Sequence, residues 1–140
     1  DRGLVGSEMC IRDSWDFSVI FGYNRNMPLV RIQTNAQLQK NEETTLATSA
    51  TTVVAEVLGK PESVTMAVVE TGLSMTFGGT PEPTALFEVE GIELGGEPAE
   101  GLCEGLSDVA EEKLGVPASR TFVKLGDVPR GYWAGNRKVY

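Results

Sequence analysis

The chain has 140 residues and a formal net charge of −8, with 20 acidic residues against 12 basic ones. This balance argues against nucleic acid and anionic membrane surfaces as partners, because both repel a negatively charged protein. The sequence contains no histidine, which excludes Ser-His and Cys-His catalysis and metal sites with histidine ligands. Cys10 and Cys103 form no CxxC motif and favour a reducing compartment.

Residues 1–14 show neither helical nor alternating periodicity, and the apolar run 17–21 fits either an added edge strand or a leader without a fold of its own, of which we favour the leader. Residues 1–14 resemble a translated adapter, and the apolar run 17–21 is too short to cross a bilayer and lacks the flanks of a signal peptide. We therefore interpret residues 1–26 as a leader or an artefactual extension that is not part of the fold. The predicted domain covers residues 27–140, a length that can bury a single hydrophobic core.

The domain opens on a predicted strand that begins with a proline. After Pro28, the residues Val30, Ile32 and Thr34 alternate with three others, which is the pattern of a strand that a proline can start. From this segment alone, Pro28 is a strand-starting proline. A second interpretation requires removal of Met27, because Pro28 then becomes the N-terminus and its secondary amine can act as a base.

Two helices and three further strands follow. Apolar residues at helical spacing predict helices that end at Gly59 and Gly115, and each glycine is followed two residues later by a proline. The second helix is expected to bury Cys103 in the core. The tail, residues 127–140, shows little periodicity. The other predicted strands are 64–70, 84–92 and 120–125.

A shift of 56 residues superposes the two halves of the domain and places Pro28 on Thr84 and Gly59 on Gly115. Each half is a strand, a helix and a strand. Because crossovers between parallel strands are right-handed, two such units give an α/β (α+β) fold, a four-stranded mixed sheet with both helices on one face. Self-association is the simplest way to cover the other face. That face contains Leu29 or Ile32, Met66 or Thr65, and Leu86 or Phe87.

Several motifs together resemble the macrophage migration inhibitory factor branch of the tautomerase superfamily. The resemblance runs from Met27 to about Trp133. It implies a homotrimer whose three sheets form a barrel, with active sites between the subunits. The motifs are Met27-Pro28 at the start of the first strand, Gly59-Lys60-Pro61-Glu62 after the first helix, Met75-Thr76-Phe77-Gly78-Gly79 and Glu82-Pro83 in the next loop, and Ile92 at the end of the third strand.

The resemblance also implies keto–enol tautomerisation without a cofactor. Its expected substrates are small aromatic 2-oxo acids or enols of the phenylpyruvate type, and also dopachrome. Pro28, as the N-terminal residue, is implied to be the catalytic base, and Lys60 is implied to bind a substrate carboxylate and to lower the pKa of the Pro28 amine. The other implied substrate-binding residues are Ile92 through its backbone amide, Phe122 and Lys124 from a neighbouring subunit, and Trp133 near the mouth of the pocket.

Most of these residues also have an interpretation without catalysis. Lys60 can be a cation near a helix C-terminus. Ile92 and Phe122 can be core residues. Lys124 can be a solvated strand residue, and Trp133 can belong to interface packing. The resemblance outweighs these alternatives only for the N-terminal proline and Lys60.

The sequence departs from the vertebrate members of that family at several positions. Phe122 replaces their tyrosine and Lys124 replaces their asparagine, so a hydroxyl is lost and a cation is gained. Thr84 and Phe87 stand at the CxxC motif of the vertebrate cytokine, and we expect no thiol–disulfide activity. If residues 1–27 remain attached, the proline is an amide without a basic lone pair, and we expect no catalysis by this route.

Two other functions stay open. One is a cytokine-like interaction protein with a protein receptor and a vestigial tautomerase pocket, which the replacements at Phe122 and Lys124 allow. The other is a ligand-binding ferredoxin-like module, which predicts a dimer or a monomer in place of a trimer. The sequence shows neither a transmembrane segment nor a signal peptide. It predicts a cytoplasmic protein, or one that is secreted without a signal peptide.

Overall fold

The computed structural model describes residues 27–92, 94 and 97–140, and the predicted extension at 1–26 lies outside these described residues. Short 3-10 turns at Glu62–Val64 and Ala118–Arg120 lead into the second and fourth strands. The helices and strands are β1 (Leu29–Thr34), α1 (Lys40–Leu58), β2 (Met66–Glu70), β3 (Ala85–Ile92), α2 (Pro98–Leu114), β4 (Thr121–Val128), β5 (Ala134–Gly135) and β6 (Lys138–Val139).

The main sheet has the strand order β2-β1-β3-β4. Strand β1 is parallel to β2, β3 is parallel to β4, and β1 is antiparallel to β3, which confirms the predicted mixed sheet. The two parallel pairs are the two halves of the repeat, because the 3-10 turns before β2 and β4 begin 56 residues apart, at Glu62 and Ala118. Gly59 and Gly115 end the two helices in the same left-handed conformation, with φ of 67° and 68°.

Both helices cover one face of the sheet. The residues of β1 and β3 that point to this face are fully buried, among them Ile32 and Phe87. Burying a large apolar side chain contributes about 1.5–3 kcal/mol, so the core determines which side of each strand meets the helices. Leu29, Met66 and Leu86 therefore lie on the uncovered face. The helices contribute Leu46, Ala50, Val54, Leu102, Leu106 and Ala110 to the same core.

The two helices touch where α2 carries glycines. A β-carbon on Gly105 would lie 2.6 Å from Cγ1 of Val53, and one on Gly101 would lie 3.2 Å from Cγ1 of Val57. Each glycine lowers the stability of an isolated helix by up to about 1 kcal/mol against alanine. The close approach of α1 explains why α2 contains both. Cys103 lies in α2 but is exposed, so its predicted burial is wrong.

The tail contains a hairpin that its sequence pattern does not predict. Strands β5 and β6 pair antiparallel, and the residues between them, Asn136 and Arg137, have positive φ of 50° and 63°. Two central residues with positive φ form the type I′ turn that matches the twist of a hairpin. Each of these strands has only two residues, which is too short for a visible alternation.

The uncovered face of the sheet mixes charged and apolar side chains. Three charged residues lie side by side on adjacent strands at the centre of this face. The carboxylate of Glu88 lies 3.6 Å from Nη1 of Arg31 and 3.8 Å from Nζ of Lys124. The pairing register arranges this face in three rows: Met66, Leu29 and Glu90; Val68, Arg31, Glu88 and Lys124; and Glu70, Gln33, Leu86 and Phe122.

Candidate functional site

Pro28 lies at one edge of the sheet, directly before β1. The residue is buried, and its carbonyl oxygen accepts a hydrogen bond of 2.9 Å from the amide of Met66 at the start of β2. On the side of β3, its Cα lies 3.8 Å from the position that a β-carbon on Gly91 would take. The proline is therefore enclosed between the two neighbouring strands at the point where β1 begins.

Lys60 comes to the same edge. A helix that connects two parallel strands runs back along them, so the C-terminus of α1 returns to the edge where β1 and β2 begin. Gly59 ends α1, and the amide of Lys60 donates a hydrogen bond of 2.9 Å to the carbonyl oxygen of Ala55. This arrangement fixes the backbone of Lys60 and leaves its side chain half-buried.

Ile92, the last residue of β3, also lies at this edge. Strand β3 runs antiparallel to β1, and Glu90 pairs with Leu29, so the end of β3 lies beside the start of β1. The side chain of Ile92 is fully buried, which confirms the core interpretation of that side chain. The implied contact with substrate involves the backbone amide, and burial of the side chain is compatible with it.

The C-terminal hairpin approaches the same edge. A β-carbon on Gly135 would lie 3.8 Å from Sδ of Met27. Trp133 stands directly before the hairpin, and its carbonyl oxygen accepts a hydrogen bond of 2.8 Å from the amide of Tyr140. The side chain of Trp133 is half-buried. The structure thus brings the segment that carries the predicted tryptophan close to the residue before the proline.

Phe122 and Lys124 lie elsewhere on the sheet. Phe122 pairs with Leu86, six residues before Ile92 on β3. Six residues of a strand span about 20 Å, so Phe122 and Pro28 of one chain cannot share a pocket. If both contact one substrate, they must come from different copies of the chain.

The surroundings of these two residues are polar or open. Phe122 is 39% exposed, so the core interpretation is wrong for this residue. Its ring centroid lies 4.5 Å from that of Phe77, with an interplanar angle of 53°. The side chain of Lys124 is 73% exposed, and Glu88 of the same chain balances part of its charge at 3.8 Å.

Two polar side chains that the sequence analysis did not identify hold the loop before β3. The side chain of Asn35 donates to the carbonyl oxygens of Pro81 and Glu82 at 3.0 and 3.1 Å and accepts a hydrogen bond of 3.0 Å from the amide of Thr84. Arg120 binds four carbonyl oxygens of the same loop. The prolines of this loop could have indicated such residues in the sequence. Proline disrupts the hydrogen bonding between strands and leaves backbone carbonyl groups that side chains must satisfy.

The family model of macrophage migration inhibitory factor (MIF) matches residues 27–136. This chain belongs to the macrophage migration inhibitory factor family. The MIF homolog of Brugia malayi is 30% identical to it over 115 residues, which cover 81% of this chain and 99% of that relative. The predicted family resemblance is thereby confirmed. The matched range includes every predicted site residue from Pro28 to Trp133.

Solved structures show the same MIF fold. The MIF homologue of Prochlorococcus marinus superposes with a TM-score of 0.73 at 33% identity, covering 79% of this chain and 97% of that one. The protein Pt0534, inactivated by 2-oxo-3-pentynoate, superposes with a TM-score of 0.70 at 22% identity, covering 79% and 94%, and shows the fold alone. Among the described residues, no helix combines the length and apolar character needed to cross a membrane.

Proposed function

We propose that this MIF-family chain is a keto–enol tautomerase of small aromatic 2-oxo acids such as phenylpyruvate, and also of dopachrome, with Pro28 as its catalytic base. The observation that carries the proposal is the position of Pro28, buried at an edge of the sheet to which Lys60 and the backbone of Ile92 also come. Family membership supports an isomerase of the tautomerase type. No cofactor is needed for the transfer of a proton between carbon and oxygen.

The proposed base acts only when Pro28 is the N-terminal residue. Removal of Met27 converts an amide nitrogen into a secondary amine. Burial of that amine disfavours its charged form and lowers its pKa, and a positive charge at Lys60 acts in the same direction. The neutral amine takes a proton from the carbon next to the keto group, the C–H electron pair forms the C=C bond, and the C=O π pair moves onto oxygen. The protonated amine then returns its proton to that oxygen, which gives the enol and restores the neutral base.

The other residues at this edge have proposed binding roles. Lys60 pairs with the carboxylate of the 2-oxo acid, which a single ammonium group can bind as a point charge. The amide of Ile92 donates to a substrate oxygen, and Trp133 packs on the substrate near the mouth of the pocket. Together they orient the substrate so that its acidic carbon faces the amine.

A second copy of the chain completes the proposed site. Phe122 lies about 20 Å along the sheet from the proline of its own chain, so it reaches substrate only from a neighbouring subunit. Lys124, two residues further on the same face of β4, is assigned to that same neighbouring subunit. The uncovered sheet face, with Leu29, Met66 and Leu86 among its residues, supplies a surface for a homotrimer. Sedimentation analysis should give a trimer, and a monomer or dimer would favour a ligand-binding module.

The kinetic test compares three forms of the protein: a chain that begins at Pro28, a chain that retains Met27, and the Pro28→Gly variant of the first. We expect the first form to tautomerise phenylpyruvate and the other two to lose about 10²- to 10⁴-fold in rate, which is the usual contribution of a general base. Circular dichroism should show that all three fold alike. Full activity in the glycine variant would refute the proposed base.

A chemical test uses 2-oxo-3-pentynoate, the compound that inactivates the structural neighbour Pt0534. The alkyne of this compound is conjugated to a ketone, so an amine can add to it: a C–N bond forms, one π bond of the alkyne breaks, and the proton of the amine passes to carbon. Peptide mass spectrometry should find one adduct at the free Pro28 amine and none at that nitrogen when Met27 is retained. Labelling elsewhere with the same loss of activity would contradict the assignment.

The second candidate is a cytokine-like protein that binds a receptor and keeps a vestigial pocket. The specific observation in its favour is that Lys124 pairs with Glu88 of its own chain, and Phe122 has no hydroxyl to offer a substrate. The Pro28→Gly variant separates the two functions in a receptor pulldown. Retained binding without tautomerase activity would support this candidate, and binding that falls together with activity would count against it.

A further inference from the structure

Arg120 uses every nitrogen of its guanidinium on the loop before β3. Nε donates to the carbonyl oxygen of Pro83 at 2.9 Å, and Nη1 donates to that of Phe77 at 3.1 Å. Nη2 donates to the carbonyl oxygens of Thr80 and Glu82, both at 3.1 Å. A lysine cannot reproduce this arrangement, because its donors radiate from one atom while the guanidinium is a rigid planar fork.

The same guanidinium lies over the ring of Phe77, with 5.4 Å between Cζ and the ring centroid, which is within the range of a cation–π interaction. The ring of Phe77 in turn contacts the ring of Phe122. Phe77 is 44% exposed and Phe122 is 39% exposed, so neither ring is enclosed by the core. Phe77 therefore contacts both the guanidinium of Arg120 and the ring of Phe122.

The loop itself is held at several points. The backbones of Phe77 and Thr80 exchange hydrogen bonds of 3.0 and 3.2 Å around Gly78 and Gly79, whose φ angles are 63° and 77°. Such a tight turn requires positive φ at its centre, which glycine adopts without strain. The turn fixes the backbone that carries Phe77, and the guanidinium of Arg120 joins this backbone to the start of β4.

We propose that Arg120 is a positioning residue: it fixes Phe77 against Phe122 and so orients the ring that Phe122 presents to the substrate in the neighbouring subunit. The inference rests on the proposed function, because it assigns Phe122 to the pocket of another copy. Arg120 stands two residues before Phe122 and acts through the aromatic pair, without contacting the substrate.

The first test is Arg120→Lys in the chain that begins at Pro28. We expect KM for phenylpyruvate to rise about three- to tenfold with kcat nearly unchanged, because a stacking contact holds substrate and transition state alike. Phe77→Leu, which leaves the hydrogen bonds of Arg120 in place, should raise KM to a similar extent. Lys113→Gln, which removes an exposed cation from the last turn of α2, is the control and should leave KM unchanged.

A double-mutant cycle separates positioning from general destabilisation. In the Phe122→Ala background there is no ring to orient, so Arg120→Lys should produce no further rise in KM. Independent structural effects would add instead. Additive effects of the two substitutions would overturn the proposal.

A third readout does not depend on activity. The ring protons of Phe122 lie close to the Phe77 ring, so their NMR chemical shifts report the stacking directly. Arg120→Lys should move these shifts towards the values found in Phe77→Leu, while the spectrum of the core residues stays unchanged. Unchanged Phe122 shifts would overturn the positioning role even if the protein is active. An inactive wild-type chain would instead refute the proposed function and leave this readout intact.

Discussion

The first unit of the repeat, β1-α1-β2, differs from the second, β3-α2-β4, at the positions where catalysis is proposed. The 56-residue shift places Thr84 of the second unit on Pro28 of the first, and Val116 on Lys60. Val116 is fully buried, so the second unit uses for packing the position at which the first unit has a half-buried cation. The two units therefore share a backbone fold, but only the first has the proposed catalytic residues at these two positions.

Thr84, which corresponds to Pro28 in the second unit, forms hydrogen bonds between strands. Its hydroxyl donates a hydrogen bond of 2.8 Å to the carbonyl oxygen of Arg120, and its own carbonyl oxygen accepts one of 2.8 Å from the hydroxyl of Thr34. The residue is 3% exposed and joins the starts of β3 and β4 to the end of β1. A hydrogen-bonding role in one unit corresponds to a proposed basic amine in the other.

The comparison explains why a single chain is not enough for the proposed site. The two units run in opposite directions in the sheet, because β1 and β3 are antiparallel. The edge where the first unit begins has Pro28 and Lys60, and the edge where the second unit begins has Phe122 and the loop of Phe77. A substrate that needs both the amine and the aromatic ring must therefore bind between two copies.

Replacing Lys60 tests the difference between the units most strongly. Lys60→Gln should lower kcat/KM for phenylpyruvate about 10- to 100-fold, because a hydrogen bond between charged groups contributes about 1.5–3 kcal/mol. Lys60→Arg, which keeps the charge, should recover part of the loss, and the control Lys113→Gln should change nothing. Steady-state kinetics at several salt concentrations measure the effect. Equal activity of the glutamine variant would mean that this position binds no carboxylate.

Removing the hydroxyl of Thr84 tests the structural side of the comparison. Thr84→Val keeps the shape but leaves the carbonyl of Arg120 without this buried partner, so the free energy of unfolding should fall by about 1–3 kcal/mol. Thr48→Val is the matched control, since its hydroxyl bonds to the carbonyl of Thr44 on the exposed face of α1; it should change stability by less than about 0.5 kcal/mol. Urea denaturation measures the free energy of unfolding of both variants. Equal losses would show that the hydrogen bond of Thr84 stabilises the protein no more than the exposed one of Thr48.

The helix contact distinguishes the units in a third way, because only α2 has glycines where the helices touch. Gly105→Ala should lower stability by about 1–2 kcal/mol, since its β-carbon would meet the stiff side chain of Val53 at 2.6 Å. Gly101→Ala meets Val57 at 3.2 Å, and its gain in helix propensity should offset the tighter contact. Thermal unfolding ranks the two variants; a more stable Gly105→Ala protein would show that the helices can move apart freely.

The sequence predicts the repeated units well because their signals are local. Each helix ends at a glycine in the left-handed conformation, and the strand periodicity and the 56-residue repeat follow from side-chain types. The resemblance also names Pro28 and Lys60, which the structure brings to one edge. The proposed role of Arg120 could not be predicted from the sequence, because all four of its acceptors are backbone carbonyl groups, which every residue type has. Its contact with Phe77 depends on the path of the loop before β3 and on the pairing register of β3 with β4, and no local sequence pattern predicts either.

The last and smallest effect concerns Glu88, which joins the two units across the uncovered face. Its carboxylate lies 3.6 Å from Arg31 of the first unit and 3.8 Å from Lys124 of the second. Glu88→Gln should lower stability by at most about 1 kcal/mol, because exposed ion pairs contribute little, and added salt should reduce the difference further. By comparison, Glu70→Gln alters a hydrogen bond of 2.9 Å from Gln33 within the first unit and should show less dependence on salt. Urea denaturation of both variants at low and high salt makes the comparison. A loss from Glu88→Gln that is larger and insensitive to salt would mean that this row is buried between copies, and would locate the interface on the uncovered face.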